Sequence, residues 1–214
     1  MTYDMTYDMT YDMTYEMIIA LQIFALISTC TPGPNNIMLM ASGMNFGYVR
    51  TIPHIIGVAF GVPVMTLLVG LGAATLFKLI PHSYMLLKLA CAAYLIYLAW
   101  KIATVTSPEE GGDKGDEKAQ PLTFLEAALF QWLNPKAWSM VTTAIVLYTP
   151  KEPSFTALLI VCLCLTLAAI PSTTFWTLLG AKLRQLLKHR ARRQLFNRVC
   201  AGALLATLYP IMFL

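Results

Sequence analysis

The sequence predicts an all-α integral membrane protein, with six transmembrane helices forming an inverted 3+3 repeat in which helices 1 and 4 are broken. Three observations carry that expectation. Of 214 residues, 57% are hydrophobic and 12% charged, half the charge usage of an ordinary soluble domain, and the mean hydropathy is +0.63. No Asp, Glu, Lys or Arg lies between Glu16 and Arg50, between Arg50 and Lys78, or between Glu152 and Lys182. Each gap is longer than the roughly 20 apolar residues that cross a bilayer. Proline-containing interruptions also recur at matching places in the two halves. A barrel is excluded because Ala157–Leu165 is a continuous apolar run without alternation, and helices are the other way to pair all backbone groups in lipid.

Residues 1–16 open with MTYD three times and then MTYE. With a carboxylate in every repeat and no aliphatic stripe, they are expected to be a disordered tail. They lack the basic start of a signal peptide, and the start is open between Met1 and Met13. Six apolar runs follow: Met17–Ser42, Ile55–Phe77, Tyr84–Ile102, Phe124–Tyr148, Phe155–Leu179 and Leu195–Leu214. Residues 107–121 (SPEEGGDKGDEKAQP) have linker composition. They divide a first three-helix repeat, 17–106, from a second, 122–214. Because three is odd, the repeats must have opposite membrane orientation.

The basic residues orient the chain. Arg50, Lys101, Lys114, Lys118, Lys182, Arg184, Lys188, Arg190, Arg192, Arg193 and Arg198, eleven of fifteen, fall in loops one, three and five. These loops are therefore expected in the cytoplasm and both termini in the periplasm. The segment Lys182–Arg198 reads as an amphipathic interfacial helix bound to anionic lipid, and no nucleic-acid partner is expected.

The most informative residues are Thr31, Pro32, Gly33, Pro34, Asn35 and Asn36. Two prolines and a glycine within three residues break the first span, and broken backbone at membrane depth is tolerated where it is buried in protein or lines a cavity. Pro34 suits the first turn of a new half-helix, whose free amides favour a carboxylate. Gln131-Trp132-Leu133-Asn134-Pro135-Lys136 interrupts the fourth span in the same way. Such paired breaks point to a transporter site between repeats. Lys136 is the one cation in the otherwise uncharged stretch from Ala127 to Pro150, and a charge at depth costs about 2.5–3.5 kcal/mol on insertion scales. It is expected to face a cavity, with snorkelling to an interface as the other reading.

Other residues read as structural. Glu126 is expected at the cytoplasmic boundary, and His54, beside Pro53, as a solvated interfacial histidine. Gly57-x-x-x-Gly61, with Gly70 and Gly72, forms a small-residue face for helix contact, usable within a subunit or in a homo-oligomer. Tyr94, Tyr97 and Trp100 suit an aromatic belt. Pro171 is expected to kink the fifth span beside Ser172, Thr173 and Thr174. The five cysteines, Cys30, Cys91, Cys162, Cys164 and Cys200, have no C-x-x-C spacing and suit small apolar fillers. Cys30, just before the first break, keeps open a second reading, a membrane thiol-redox electron carrier. None of the three histidines lies in an H-E-x-x-H pattern, and neither a cofactor nor a metal is expected.

Over the motif TPGPNN, the glycine-rich second span, AAYLIYLAWKIA in the third and NPKA in the fourth, the chain resembles the LysE/RhtB family of amino-acid exporters. It is most similar to the branch handling cysteine and O-acetylserine, or homoserine and threonine. The resemblance runs from about Met13 to Leu214. It implies six helices in the bacterial inner membrane, export of a small amino acid and protons as the coupling ion. The implied substrate-binding residues are Pro32, Gly33, Pro34, Asn35 and Asn36, with Asn134, Pro135 and Lys136. The tetrapeptide repeat before Met13 departs from the family.

Overall fold

Thr14 begins the ordered helical structure: its Oγ1 accepts a hydrogen bond from the Met17 amide at 3.4 Å, and Glu16 sits in the first turn, where a carboxylate meets the positive end of the helix dipole. The structure, a computed structural model, describes residues 13–73, 82–105, 120–150, 153–187 and 189–209. The repeat tail before Met13, most of the linker, and the ends expected for the second and sixth spans lie outside the described residues.

Helix α1 (Tyr15–Cys30) and helix α2 (Pro34–Phe46) are bent by 53° across Thr31–Gly33. Gly47, at φ 83°, then turns the chain directly into α3 (Tyr48–Gly70). The second span therefore begins seven residues earlier than Ile55 and runs through Pro53 and Pro63. After α4 (Ser83–Thr104), the second half enters through α5 (Phe124–Phe130), a 3₁₀ turn (Gln131–Leu133) and α6 (Pro135–Tyr148). Glu126 closes a capping box with Thr123, accepting from its amide at 2.8 Å. Helix α7 (Phe155–Leu186) and helix α8 (Arg190–Ala206) complete the described chain.

Among the described residues three helices, α3, α4 and α7, are long and apolar enough to cross a membrane, and the bent α1–α2 pair makes a fourth if it is one span. The expected fourth span is divided by Asn134-Pro135 into two short helices. The expected sixth begins among arginines and is 17 residues in its described part. The outer surface is that of a protein in lipid: Ile19, Ile23 and Ile27 on α1, Phe60 on α3, and Leu159, Leu163 and Leu167 on α7 are all exposed. Soluble monomers rarely expose contiguous apolar patches of this kind. The polar residues lie inside instead, among them Asn36, Ser42, Asn45, Thr51, Gln131, Asn134, Ser172 and Asn197.

Helix α7 is the central pillar, packed against α1, α2 and α3, while α5 lies on α3 and α8 on α4. It approaches α2 closely enough for backbone to meet backbone. A Cβ on Gly43 would strike the Thr177 carbonyl, and one on Gly180 the Met40 carbonyl, so both backbones touch where neither residue has a side chain. The Gly57/Gly61 face is used within the chain, against Phe124, Ala127 and Ala128 of α5, and Gly70 sits against Leu158. Gly72 is not on that face: it lies beyond the end of α3 with φ 101°.

One expectation needs correction. The basic segment from Lys182 is not one interfacial helix. Its first part extends α7 to Leu186, the helix running on through Gly180, whose bare backbone packs on Met40, and its second part starts α8. Arg193 is partly used internally, its Nε donating to the Leu187 carbonyl at 2.8 Å, where a cation favours a helix C-terminus. Pro171 lies within α7, where Thr173 donates to the Ala169 and Ile170 carbonyls at 2.8 and 3.0 Å and Ser172 reaches across to α1, donating to the Thr29 carbonyl at 2.7 Å.

Candidate functional site

The two breaks meet. Each starts a new helix with proline at its first position, Pro34 in α2 and Pro135 in α6, where the missing N–H costs nothing. Their caps differ. The Asn134 side chain accepts from the Lys136 amide at 3.1 Å, so α6 is closed by its own residue. Gly33 at the start of α2 has no side chain to do so, which leaves the positive end of that helix open toward the interior.

Side chains from one break reach the other. Asn35 donates through Nδ2 to Gln131 Oε1 at 2.8 Å, and Gln131 returns a bond through Nε2 to Asn35 Oδ1 at 3.3 Å. Asn36 turns back and donates to the carbonyls of Thr29 and Thr31, each at 2.7 Å, supplying donors to carbonyls that the interrupted α1 leaves without amides. Lys136 crosses from the second break to the first. Its Nζ donates to Thr31 Oγ1 at 2.8 Å and also to the Thr31 carbonyl. Its stem lies so close to Gly33 that a Cβ there would be 2.6 Å from Lys136 Cδ. The half-buried Lys136 therefore faces the break.

Around these groups lies a cavity of about 40 Å³, lined by Ser28, Thr29, Gly33, Asn35, Asn36, Val58, Val62, Asn134, Lys136, Ala137, Met140, Ala169, Ser172 and Thr173. It holds little beyond water. Gly33, Asn35, Asn36, Asn134 and Lys136 are thus brought together. Pro34 and Pro135 shape the two helix starts, and Pro32 is exposed at the bend. Sequence reasoning missed Thr31, Thr29 and Gln131 as individual contributors, although Thr31 and Gln131 sit inside the two motifs. Ser172 and Thr173, which also line the cavity, entered the sequence reading only as neighbours of Pro171.

His54 differs from expectation. It is 1% exposed, and neither ring nitrogen has a hydrogen-bond partner. Because Gly47 starts α3 early, residue 54 falls in its second turn, turned inward, and not at a solvated helix end. Cys30 is exposed beside the break, and the other four cysteines are buried and unbridged. The Cys30 carbonyl accepts from Trp176 Nε1 at 3.3 Å.

Several apolar helices of spanning length with exposed apolar surfaces, and a cation beside paired amides where two helices break, define a multi-pass helical membrane protein. The chain belongs to the LysE type translocator family, which matches residues 26–208. Similar proteins named cysteine/O-acetylserine efflux protein occur in Escherichia coli (strain K12), Shigella sonnei (strain Ss046) and Shigella flexneri. Each is 28% identical over 175 residues, spanning 81% of this chain and 87% of the relative. No solved structure matches the chain.

Proposed function

We propose that the protein is a secondary exporter of small neutral amino acids of the cysteine/O-acetylserine or homoserine/threonine type, acting across the bacterial inner membrane and driven by protons. The observation that carries this reading is the bridge from Lys136 to Thr31, which places an ammonium beside the open N-terminus of α2. A substrate carboxylate suits both, because each attracts an anion. The substrate's ammonium would then meet the amide oxygens of Asn35, Asn36 or Asn134. With only about 40 Å³ of space, the conformation is closed, and binding requires Lys136 to leave Thr31 for the incoming carboxylate.

The paired Pro34 and Pro135 starts support an inverted 3+3 arrangement in which one repeat rocks against the other around this site. Odd loops would lie in the cytoplasm, both termini in the periplasm, and the basic residues of Lys182–Arg198 near anionic lipid. Reconstitution in liposomes checks the reading: labelled cysteine, O-acetylserine, homoserine and threonine are offered with and without a pH gradient. Flux of at least one that rises with the gradient is the expected result, and no gradient-dependent flux across the panel would overturn it.

One observation favours a second reading, a carrier of thiol electrons: Cys30 is exposed at the break. The second break, Gln131 to Lys136, carries no cysteine, so a thiol relay between the two lacks its partner. Replacing all five cysteines with serine separates the readings. An exporter keeps most of its flux, whereas an electron carrier loses its activity.

A further inference from the structure

A second, larger cavity of about 260 Å³ lies along α2 from the break, where α2, α3 and α4 meet the start of the second half. The stripe Met38, Ala41, Ser42 and Asn45 on α2 faces it, at the i, i+3, i+4, i+7 spacing of one helix face. The same helix carries Asn35 and Asn36 at the first site, about 15 Å away by helical rise. Helix α3 also borders both, with His54 at the larger cavity and Val58 and Val62 at the smaller. Two helices thus run from one cavity to the other.

The polar walls of the larger cavity are not equally satisfied. Ser42 pairs with Thr51 at 2.9 Å. Asn45 and Asn197 exchange bonds at 2.9 and 3.1 Å. His54 alone among the described buried side chains has polar atoms without a partner, a state that costs about 1–3 kcal/mol. Lys101 lines the same cavity, as do the rings of Tyr97 and Trp100. Lys101 and Glu126 are the charged groups that act on His54.

We propose that this cavity is a second binding site for a small zwitterion, its carboxylate on Lys101 and its ammonium shared between His54 and the faces of Tyr97 and Trp100. An imidazole offers a lone pair to an N–H donor, and aromatic faces attract a cation. A turn of the ring brings a nitrogen to the cavity wall, and the ligand then supplies the donor that His54 lacks. The identity of the zwitterion as the exported amino acid rests on the export reading; the site itself does not. Passage between the two cavities would follow the shared faces of α2 and α3.

The test is histidine-labelled NMR on the full chain in detergent, titrated with O-acetylserine, cysteine, homoserine and threonine. The His54 ring signal is assigned by its loss in His54→Gln, or, should that variant not fold, by elimination with His82→Asn and His189→Asn. The expected result is a saturable His54 shift with at least one ligand that persists in Lys136→Ala. In Lys101→Met, losing a charge-assisted contact weakens that binding at least about tenfold. No His54 shift with any of the four, beside intact liposome flux, overturns the second site and leaves the export reading standing. A shift that disappears in Lys136→Ala also overturns it, because His54 would then only sense the first site. A shift that persists without flux supports the site and removes the export reading.

Discussion

Lys136→Ala is expected to cut transport about 10- to 100-fold while the protein still folds. Among the described residues the Lys136 ammonium is the charge that bridges the two breaks, held on Thr31 by its hydroxyl and carbonyl. Charge-assisted hydrogen bonds contribute about 1.5–3 kcal/mol each, so losing the partner of a substrate carboxylate reduces flux by a factor on the order of 10 to 100, each 1.4 kcal/mol being tenfold. Structural damage should be limited, since the α6 start is capped independently by Asn134 and Asn35 stays paired with Gln131. Lys136→Arg keeps the charge, but a planar, longer group must pass Gly33, where the lysine stem already leaves no room for a methyl. It should recover flux only in part. The measurement is initial flux in liposomes at matched protein content, with circular dichroism and size-exclusion elution as the check on folding. Unchanged flux in Lys136→Ala would retire the role given to it.

Gly43→Ala and Gly180→Ala each destabilise the fold. The added methyl meets a backbone carbonyl across the α2–α7 contact, Thr177 in one case and Met40 in the other, and backbone yields less readily than a side-chain tip. Overpacking of this kind costs about 1–3 kcal/mol, read as a thermal midpoint in detergent lowered by several degrees. The internal control is Gly202→Ala on α8. No atom lies within 4 Å of a Cβ there, so this change should be neutral or gain up to about 1 kcal/mol of helix propensity. Equal midpoints for all three variants would mean that α2 and α7 are not held at this distance. Because α2 carries Asn35 and Asn36, transport should fall with stability at Gly43 and Gly180, and not at Gly202.

The breaks were legible from the chain because their cause is local. Proline removes its own N–H and clashes with the preceding turn wherever it is placed, so TPGPNN and NPK interrupt helices without reference to anything distant. The capping box at Thr123 and Glu126 is similarly contained within four residues. Helix ends governed by less distinctive signals were misread. Gly47 is a single glycine between two helical runs, and only its positive φ reveals that α3 starts at Tyr48. Gly180 looks like a helix stop after Leu179, but it lies within α7, packed on the Met40 carbonyl, and the helix continues for about two more turns. His54 followed the same error: a helix that starts earlier turns residue 54 inward.

Charge scarcity and apolar run length determined, from sequence alone, that this is a helical membrane protein. Proline and asparagine placement determined where its helices break, because those are properties of each residue and its immediate neighbours. Which faces meet was decided only in three dimensions. Nothing in the spacing of Asn35 and Gln131, 96 positions apart, or of Thr31 and Lys136, 105 apart, says that they touch. Gly43 and Gly180 look like any other glycines until α2 crosses α7. The physical reason is that lipid rewards every apolar face about equally, so helix partners are selected by close backbone packing and by polar groups that must find one another. Both depend on helix rotation and crossing, which the packed structure sets.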